Sequence, residues 1–172
     1  SYYKSALKIY KRVLGENHPD VGMSLNNLAA VYRVIGDYRS AESLYKQVLK
    51  IYKKALGEEH PDVAMVLNNL GVLYSDLNDY MAAESFYKRS LDIYKKQLGE
   101  DHPDISKSLN NLGGIYFIMS DFKAAESLFM KSLEIRKKAY GEDHPDVSRS
   151  LSNLGLLYYD IADYQSAELL LK

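Results

Sequence analysis

The sequence has 172 residues, of which 47% are hydrophobic and 26% are charged, the balance of an ordinary folded protein. Its 22 basic and 23 acidic residues give a net charge of −1, so no excess positive charge is present to attract nucleic acid or an anionic membrane. The absence of cysteine excludes disulfides, thiolate metal sites and cysteine nucleophiles. That absence suits a reducing compartment, and no apolar run approaches the ~20 residues of a membrane span, so we expect a cytoplasmic protein.

One pattern of residues recurs along the whole chain. A His-Pro-Asp triplet begins at His18, and its copies begin at His60, His102 and His144, so the period is 42 residues. Such periodicity is typical of stacked repeats that bury their apolar faces against their neighbours. We predict a single solenoid over residues 1–172, with full repeats at 15–56, 57–98 and 99–140. Residues 1–14 then form the second helix of a preceding repeat, and 141–172 a last repeat truncated in its second helix.

Each repeat is predicted to begin with an amphipathic helix. Pro19 suits the first turn, where a missing N–H costs nothing, and Asp20 meets the positive end of the helix dipole. An apolar stripe follows at helical spacing: Leu25, Leu28, Tyr32 and Ile35. Gly36 can end this helix in a left-handed conformation, and Asn78 can do so in the next copy. Ser120 and Ala162 hold that position in the later copies, where the turn is less clearly indicated.

The second helix of each repeat is predicted to start after an aspartate N-cap, which is Asp37 in the first copy, and to end at Gly57. Its apolar face consists of Ala41, Leu44, Tyr45, Val48, Ile51, Tyr52 and Leu56. Lys53 and Lys54 near its end complement the helix dipole. A single helical hairpin cannot bury such a stripe alone, so neighbouring copies must stack to form a continuous core.

These hairpins resemble the tetratricopeptide repeat. The resemblance lies in Leu28-x-x-x-Tyr32, Ala41-x-x-x-Tyr45 and the Gly-Asp-Tyr turn between them. The 42-residue period, with LNNLA and LGExHPD segments, is similar to that of kinesin light chains and related proteins, bacterial ones included. The resemblance implies an all-α fold, a right-handed α-solenoid with the first helices on its concave side. It also implies that the concave groove holds an extended peptide or a short helix of a partner protein.

Two series of asparagines are candidates for ligand binding. The first series, Asn26, Asn68 and Asn110, points nearly opposite the core on a helical projection, so these side chains can pair with a peptide backbone. The second series, Asn27, Asn69, Asn111 and Asn153, lies on the flank where adjacent first helices approach each other. The resemblance implies that asparagines of LNNL segments bind the backbone of the ligand. The second series is therefore also a candidate for ligand binding. The alternative is that the second series only cross-links neighbouring helices, and the sequence favours neither reading.

Ligand specificity is predicted to come from groove positions that differ between copies. Arg33 is followed at the same position by Ser75, Phe117 and Tyr159, while Lys107 and Arg149 replace methionines of the earlier copies. Cationic and aromatic side chains in the later half favour a ligand with an aromatic or large apolar anchor flanked by acidic residues. The alternative is that these are ordinary exposed helix residues.

No enzymatic site is predicted. The four histidines recur one per repeat, and helices stack ~8–10 Å apart, so successive histidines cannot share one metal ion; we expect each to shape the turn before its helix. No serine lies beside a histidine in a recognised motif, and no glycine-rich phosphate loop is present. We therefore predict no cofactor and no metal, and a protein or peptide partner rather than nucleic acid or a membrane. The alternative function is a structural scaffold that self-associates end to end through apolar end faces, because the last residues include Leu169-Leu170-Leu171.

Overall fold

The computed structural model describes residues 2–171, which form α-helices joined by short turns and contain no strand. Ser1 and Lys172, included in the predicted boundaries, lie outside the described residues. The first helices of the repeats have 16 residues each. The complete second helices have 19. In chain order the helices are α1 (Tyr2–Leu14), α2 (Pro19–Val34), α3 (Tyr38–Leu56), α4 (Pro61–Asp76), α5 (Tyr80–Leu98), α6 (Pro103–Ile118), α7 (Phe122–Tyr140), α8 (Pro145–Asp160) and α9 (Tyr164–Leu171). The all-α class and the 42-residue period of helical hairpins are confirmed.

The helices pack into two compact units, Ser1–Ile93 and Tyr94–Lys172, each with its own buried side chains. In the first unit α2 packs against α3, and α3 against α4; Leu25, Tyr45 and Leu70 are almost completely buried there. In the second unit α7 packs against α6 and α8, around a core of Ala125, Phe129, Leu133, Val147, Leu154 and Leu157. The single solenoid over residues 1–172 stays a prediction.

Each first helix begins at the predicted proline, and a histidine caps it. The backbone N–H of Asp20 donates to Nδ1 of His18 at 3.2 Å, and the same bond recurs at His60, His102 and His144. This bond satisfies one of the unpaired N–H groups of the first turn. Since Nδ1 accepts, the proton of each neutral imidazole lies on Nε2. The expectation that the histidines shape the turn before the helix is confirmed.

The second helices begin and end as their local sequence predicts. Oδ1 of Asp37 accepts the backbone N–H of Ser40 at 3.1 Å, and the other three aspartates of the series make the same bond. Gly57 ends α3 with φ +98°, which glycine adopts without steric cost. The turn between the two helices of a repeat is left-handed in all four copies, at Gly36, Asn78, Ser120 and Ala162. The two later turns therefore have the same conformation although they lack glycine.

We expect Ala162→Gly to raise the free energy of unfolding by ~0.5–1 kcal/mol. Ala162 has φ +63°, a region where an L side chain is strained and glycine is not. Urea denaturation measures the change. Gly36→Ala is the matched reverse substitution: Gly36 has φ +81° and open space around its Cα, so the expected loss comes from the backbone alone. A lower stability of Ala162→Gly would contradict the prediction.

One residue of the predicted apolar stripe lies outside the core. Leu25 and Leu28 are buried and Tyr32 is half-buried, whereas Ile35 is 67% exposed. Ile35 is the C-cap of α2, at the very end of the helix, and its counterparts at the ends of the later first helices, Leu77, Met119 and Ile161, are exposed as well. Its inclusion in the core was wrong.

Candidate functional site

The first unit joins the two asparagine series across neighbouring helices. Nδ2 of Asn69 on α4 donates to Oδ1 of Asn26 on α2 at 2.9 Å, and both side chains are half-buried. The second-series asparagine therefore links adjacent first helices, and its acceptor is a first-series asparagine. The helical projection placed the two series on separate surfaces, and it did not indicate that they pair.

The second unit repeats the same amide pair. Nδ2 of Asn153 on α8 donates to Oδ1 of Asn110 on α6 at 2.8 Å, and both residues are again half-buried. Of the other predicted asparagines, Asn68 and Asn111 are half-buried, while Asn27 is exposed. Cross-linking of helices is thus observed for Asn69 and Asn153, whereas binding of a ligand by either series stays a prediction.

The geometry of the amide pair leaves hydrogen-bonding capacity on both partners. A primary amide has two N–H donors and a carbonyl with two lone pairs. The bond between Asn69 and Asn26 uses one hydrogen of the former and the oxygen of the latter. A donor on Asn26 and an acceptor on Asn69 can therefore serve a peptide group, which also presents one donor and one acceptor.

Arg33, a predicted ligand contact, forms an ion pair between first helices. Its Nη1 lies 2.6 Å from Oδ2 of Asp76, and both side chains are about one-third exposed. The buried Tyr45 lies near this pair; its burial raises the pKa of the phenol, and the charge of Arg33 opposes that rise. Arg33 therefore binds the next repeat of its own unit, a role that the sequence analysis did not anticipate.

Lys107 and Arg149 are exposed on the surface of the second unit. Each forms an ion pair within its own helix, Lys107 with Asp104 at 3.9 Å and Arg149 with Asp146 at 3.0 Å. Exposed pairs three residues apart contribute little to stability. An acidic ligand can therefore compete for these two cations at low cost.

The two predicted aromatic contacts differ in accessibility. Phe117 is half-buried, packs against the core of the second unit and meets the ring of Phe122 edge to face at 5.8 Å. Tyr159 is 61% exposed and meets Tyr164 edge to face at 5.6 Å. Tyr159 therefore offers an accessible aromatic ring to a ligand, while the ring of Phe117 is largely packed within the fold.

A tyrosine–glutamate bond also links successive repeats, and the sequence analysis missed it. The hydroxyl of Tyr74 donates to Glu42 at 2.7 Å, and that of Tyr158 donates to Glu126 at 2.6 Å. The second bond, with burial, raises the pKa of Tyr158 to about 12. Both residue types recur with the same 42-residue period, and this shared period was the available signal for their pairing.

Two kinds of feature are absent from the described part of the chain. Within residues 2–171, no three His, Asp or Glu side chains lie close enough together to hold a metal ion. Over the same residues, no helix is long and apolar enough to cross a membrane.

The sequence of this chain matches a known family of repeat proteins. The family model of the tetratricopeptide repeat matches residues 1–54, 36–96, 62–138 and 104–172. The chain belongs to the tetratricopeptide repeat family, whose members are in general protein–protein interaction modules rather than enzymes. No curated protein sequence matches the chain.

Solved structures with the same fold include kinesin light chain-like repeat proteins. The crystal structure of BtubC (BKLC) from P. vanneervenii has a TM-score of 0.83 and 30% identity, and the match covers 98% of this chain and 67% of that one. Two structures of a Podospora anserina putative kinesin light chain with nearly identical TPR-like repeats, one of them a single-residue variant, have TM-scores of 0.74 and 0.76. Each is 25% identical, and the match covers 98% of this chain and 80% of the relative. The predicted TPR-like solenoid of the kinesin light chain-like class is confirmed.

Proposed function

We propose that this chain binds an extended or short helical peptide segment of a partner protein along its first helices. The observation that carries the proposal is the amide pair, which occurs once in each unit, joining α2 to α4 and α6 to α8. Each pair leaves a donor and an acceptor at a half-buried position. Such a pair can bind a ligand backbone whatever its side chains, while neighbouring residues select the sequence.

The second unit supplies the selective contacts in this proposal. Lys107 and Arg149 are exposed cations, and Tyr159 is an exposed aromatic side chain. Aromatic anchors contribute most of the binding energy at typical interfaces, and charges at the rim set partner choice and association rate. The proposed ligand therefore carries an aromatic or large apolar anchor beside acidic residues. In this proposal the chain is not an enzyme, acts in the cytoplasm, and binds neither nucleic acid nor a membrane.

A display screen of disordered peptides, followed by fluorescence anisotropy on the hits, tests the proposal. We expect Lys107→Glu/Arg149→Glu to weaken binding of acidic hits by about tenfold or more, because attraction becomes repulsion. Asn26→Ala/Asn110→Ala removes the first-series amide of each observed pair and leaves Asn68 in place, and we expect it to weaken all hits regardless of side-chain sequence.

The matched charge control is Lys50→Glu/Lys123→Glu, which changes the net charge equally on exposed positions of α3 and α7. This control should bind as the unchanged protein does. Circular dichroism melting separates lost binding from lost folding in the asparagine variant, which also loses two helix cross-links. The absence of hits, or hits that tolerate both folded test variants, would contradict the proposal.

A second candidate function is end-to-end self-association, as in a structural scaffold. It is favoured by apolar side chains exposed at α2, where Val34 is 76% exposed beside the exposed Val31 and Ile35. These residues, with Asn27 and Ala30, line an apolar depression of about 400 Å³. An exposed apolar surface of this kind is typical of an interaction site.

A further inference from the structure

Gly114 is a glycine that the fold itself does not require. It lies in the interior of α6, where glycine weakens a helix relative to alanine. A Cβ at this position would meet no atom within 4 Å, so no side chain of the described residues fills the space beside it. The 42-residue period does not require glycine either, because the same position holds Ala30, Val72 and Leu156 in the other copies.

Other glycines of the first helices each leave space for an aromatic ring. The pairs are Gly22 with Tyr52, Gly71 with Tyr87, and Gly113 with Phe129. In each pair a Cβ on the glycine would lie 2.5–2.8 Å from a ring carbon, which is closer than two carbon atoms approach without a bond. This fold therefore packs an aromatic ring directly against the backbone of a first helix wherever these three glycines allow it.

The space beside Gly114 differs from these three because it is open to the surface. Gly114 is half-buried, and Asn110 lies one turn before it on the same face of α6. Phe117 and Ile118 lie one turn after it; the former is half-buried and the latter is 50% exposed. The open space is therefore bordered along the helix by apolar side chains at one end. At the other end lies Asn110, which accepts the 2.8 Å bond from Asn153.

We infer that an aromatic side chain of the partner peptide packs against Gly114, as three rings of the chain itself pack against the other glycines. This inference rests on the proposed function, since it takes a peptide bound along the first helices as given and names the residue that receives its anchor. The internal rings come from two tyrosines and one phenylalanine. A flat ring brings a large apolar area against an uncovered helix backbone, so an aromatic anchor fits this position better than a leucine.

The spacing along α6 agrees with an extended ligand. Gly114 follows Asn110 by four residues, a rise of about 6 Å along a helix. In an extended peptide, side chains two residues apart point the same way and lie about 6.6 Å apart. A peptide that runs along α6 with its backbone bonded to the amide pair therefore places a side chain, about two residues further on, beside Gly114.

The same geometry gives the position of an acidic ligand residue. Lys107 precedes Gly114 by seven residues on the same face of α6, a rise of about 10.5 Å. An extended peptide covers this distance in about three residues. The acidic residue that Lys107 attracts should therefore lie about three residues from the aromatic anchor.

Selection from a random peptide library displayed on phage tests the inference, with the intact chain and Gly114→Val as two separate targets. Valine fills the open space, and α4 already holds Val72 at this position, so the helix should tolerate it. We expect the intact chain to enrich peptides in which an aromatic residue keeps one fixed distance from an acidic residue. We expect Gly114→Val to lose this enrichment of aromatic residues.

Fluorescence anisotropy then compares one selected peptide with a version in which leucine replaces its aromatic residue. We expect Gly114→Ala to weaken binding of the aromatic peptide at least about tenfold, and binding of the leucine version by less than about threefold. Alanine is the better helix former, so this variant should be more stable than the intact chain. Weaker binding by a more stable protein cannot come from unfolding.

Ala30→Val is the matched control, because it enlarges the same position of α2, where the chain has no glycine. It should leave the difference in affinity between the two peptides unchanged, and an equal loss of that difference would overturn the inference. An intact chain that selects no peptide would overturn the proposed function and the inference together. Selected peptides without an aromatic residue, or aromatic peptides that bind Gly114→Ala as tightly as the intact chain, would overturn the inference and leave the proposed function standing.

Discussion

Replacement of Arg136 by alanine is expected to lower the free energy of unfolding by ~3 kcal/mol. Arg136 lies on α7, is 2% exposed, and bonds to both helices that α7 packs against. Its Nε donates to Oγ of Ser106 on α6 at 3.2 Å. Its Nη1 donates to the carbonyl of Asp146 at 3.0 Å and to Oγ of Ser150 at 2.8 Å, both on α8.

The large effect follows from what alanine would leave behind. Truncation opens a cavity among three helices and removes the donor from three buried or half-buried oxygens. Burial lowers the pKa of the guanidinium, and the charge of Asp146 opposes that shift. Arginine cannot deprotonate at neutral pH, so the buried charge depends on these bonds.

Urea denaturation of the unchanged protein, Arg136→Ala and Arg136→Lys measures the effect. Lysine keeps the positive charge but lacks the planar guanidinium with its five N–H donors. We therefore expect Arg136→Lys to lower the free energy of unfolding by less than Arg136→Ala does. Lys123→Ala is the control, because Lys123 is an exposed residue of the same helix and should change stability by less than about 0.5 kcal/mol. Equal stability of Arg136→Ala and the control would contradict the structural role.

The second large effect is expected at Gly113, where alanine should lower the free energy of unfolding by ~2 kcal/mol. A Cβ at this position of α6 would lie 2.8 Å from both Cδ1 and Cε1 of Phe129. Phe129 is 3% exposed in the core of the second unit, so its ring cannot move away freely. The overpacking therefore outweighs the ~1 kcal/mol that alanine gains over glycine in helix propensity.

The adjacent glycine is an internal control of opposite sign. A Cβ at Gly114 would meet no atom within 4 Å, so Gly114→Ala is expected to raise stability by ~0.5–1 kcal/mol through helix propensity alone. Denaturation midpoints of the two variants give the comparison directly. Phe129→Leu in the Gly113→Ala background should recover part of the loss, since it removes the ring that clashes. Equal effects at the two glycines would contradict the packing argument.

Most of the helix boundaries were predictable because they depend on local chemistry. Prolines in the first turn, aspartate N-caps and closing glycines act within one helical turn, and all appear where the sequence placed them. The histidine caps were expected only in general terms, because the preferred N-cap residues are serine, threonine, aspartate and asparagine. Ile35 was misplaced because a helical projection gives the direction of a side chain around the helix and does not indicate whether packed residues cover the end of that helix.

The candidate site was predictable in its positions but less so in its contacts. The asparagines recur with the period of the repeat, so they could be singled out from one sequence. Their pairing joins residues 43 apart in the chain, as does the ion pair of Arg33 with Asp76. Helical projection gives the direction of a side chain around its own helix, and it contains no distance to another helix.

By itself the sequence determined the repeat, the helices and the family, because a 42-residue period of caps and apolar stripes repeats the same local energetics four times. Only the tertiary structure decided which polar side chains pair across helices, that Arg136 bridges three helices, and that Tyr159 is exposed while Phe117 is partly buried. These outcomes depend on the spacing and rotation of neighbouring helices. Those quantities arise from packing of the whole set of side chains, and no single turn of the chain contains them.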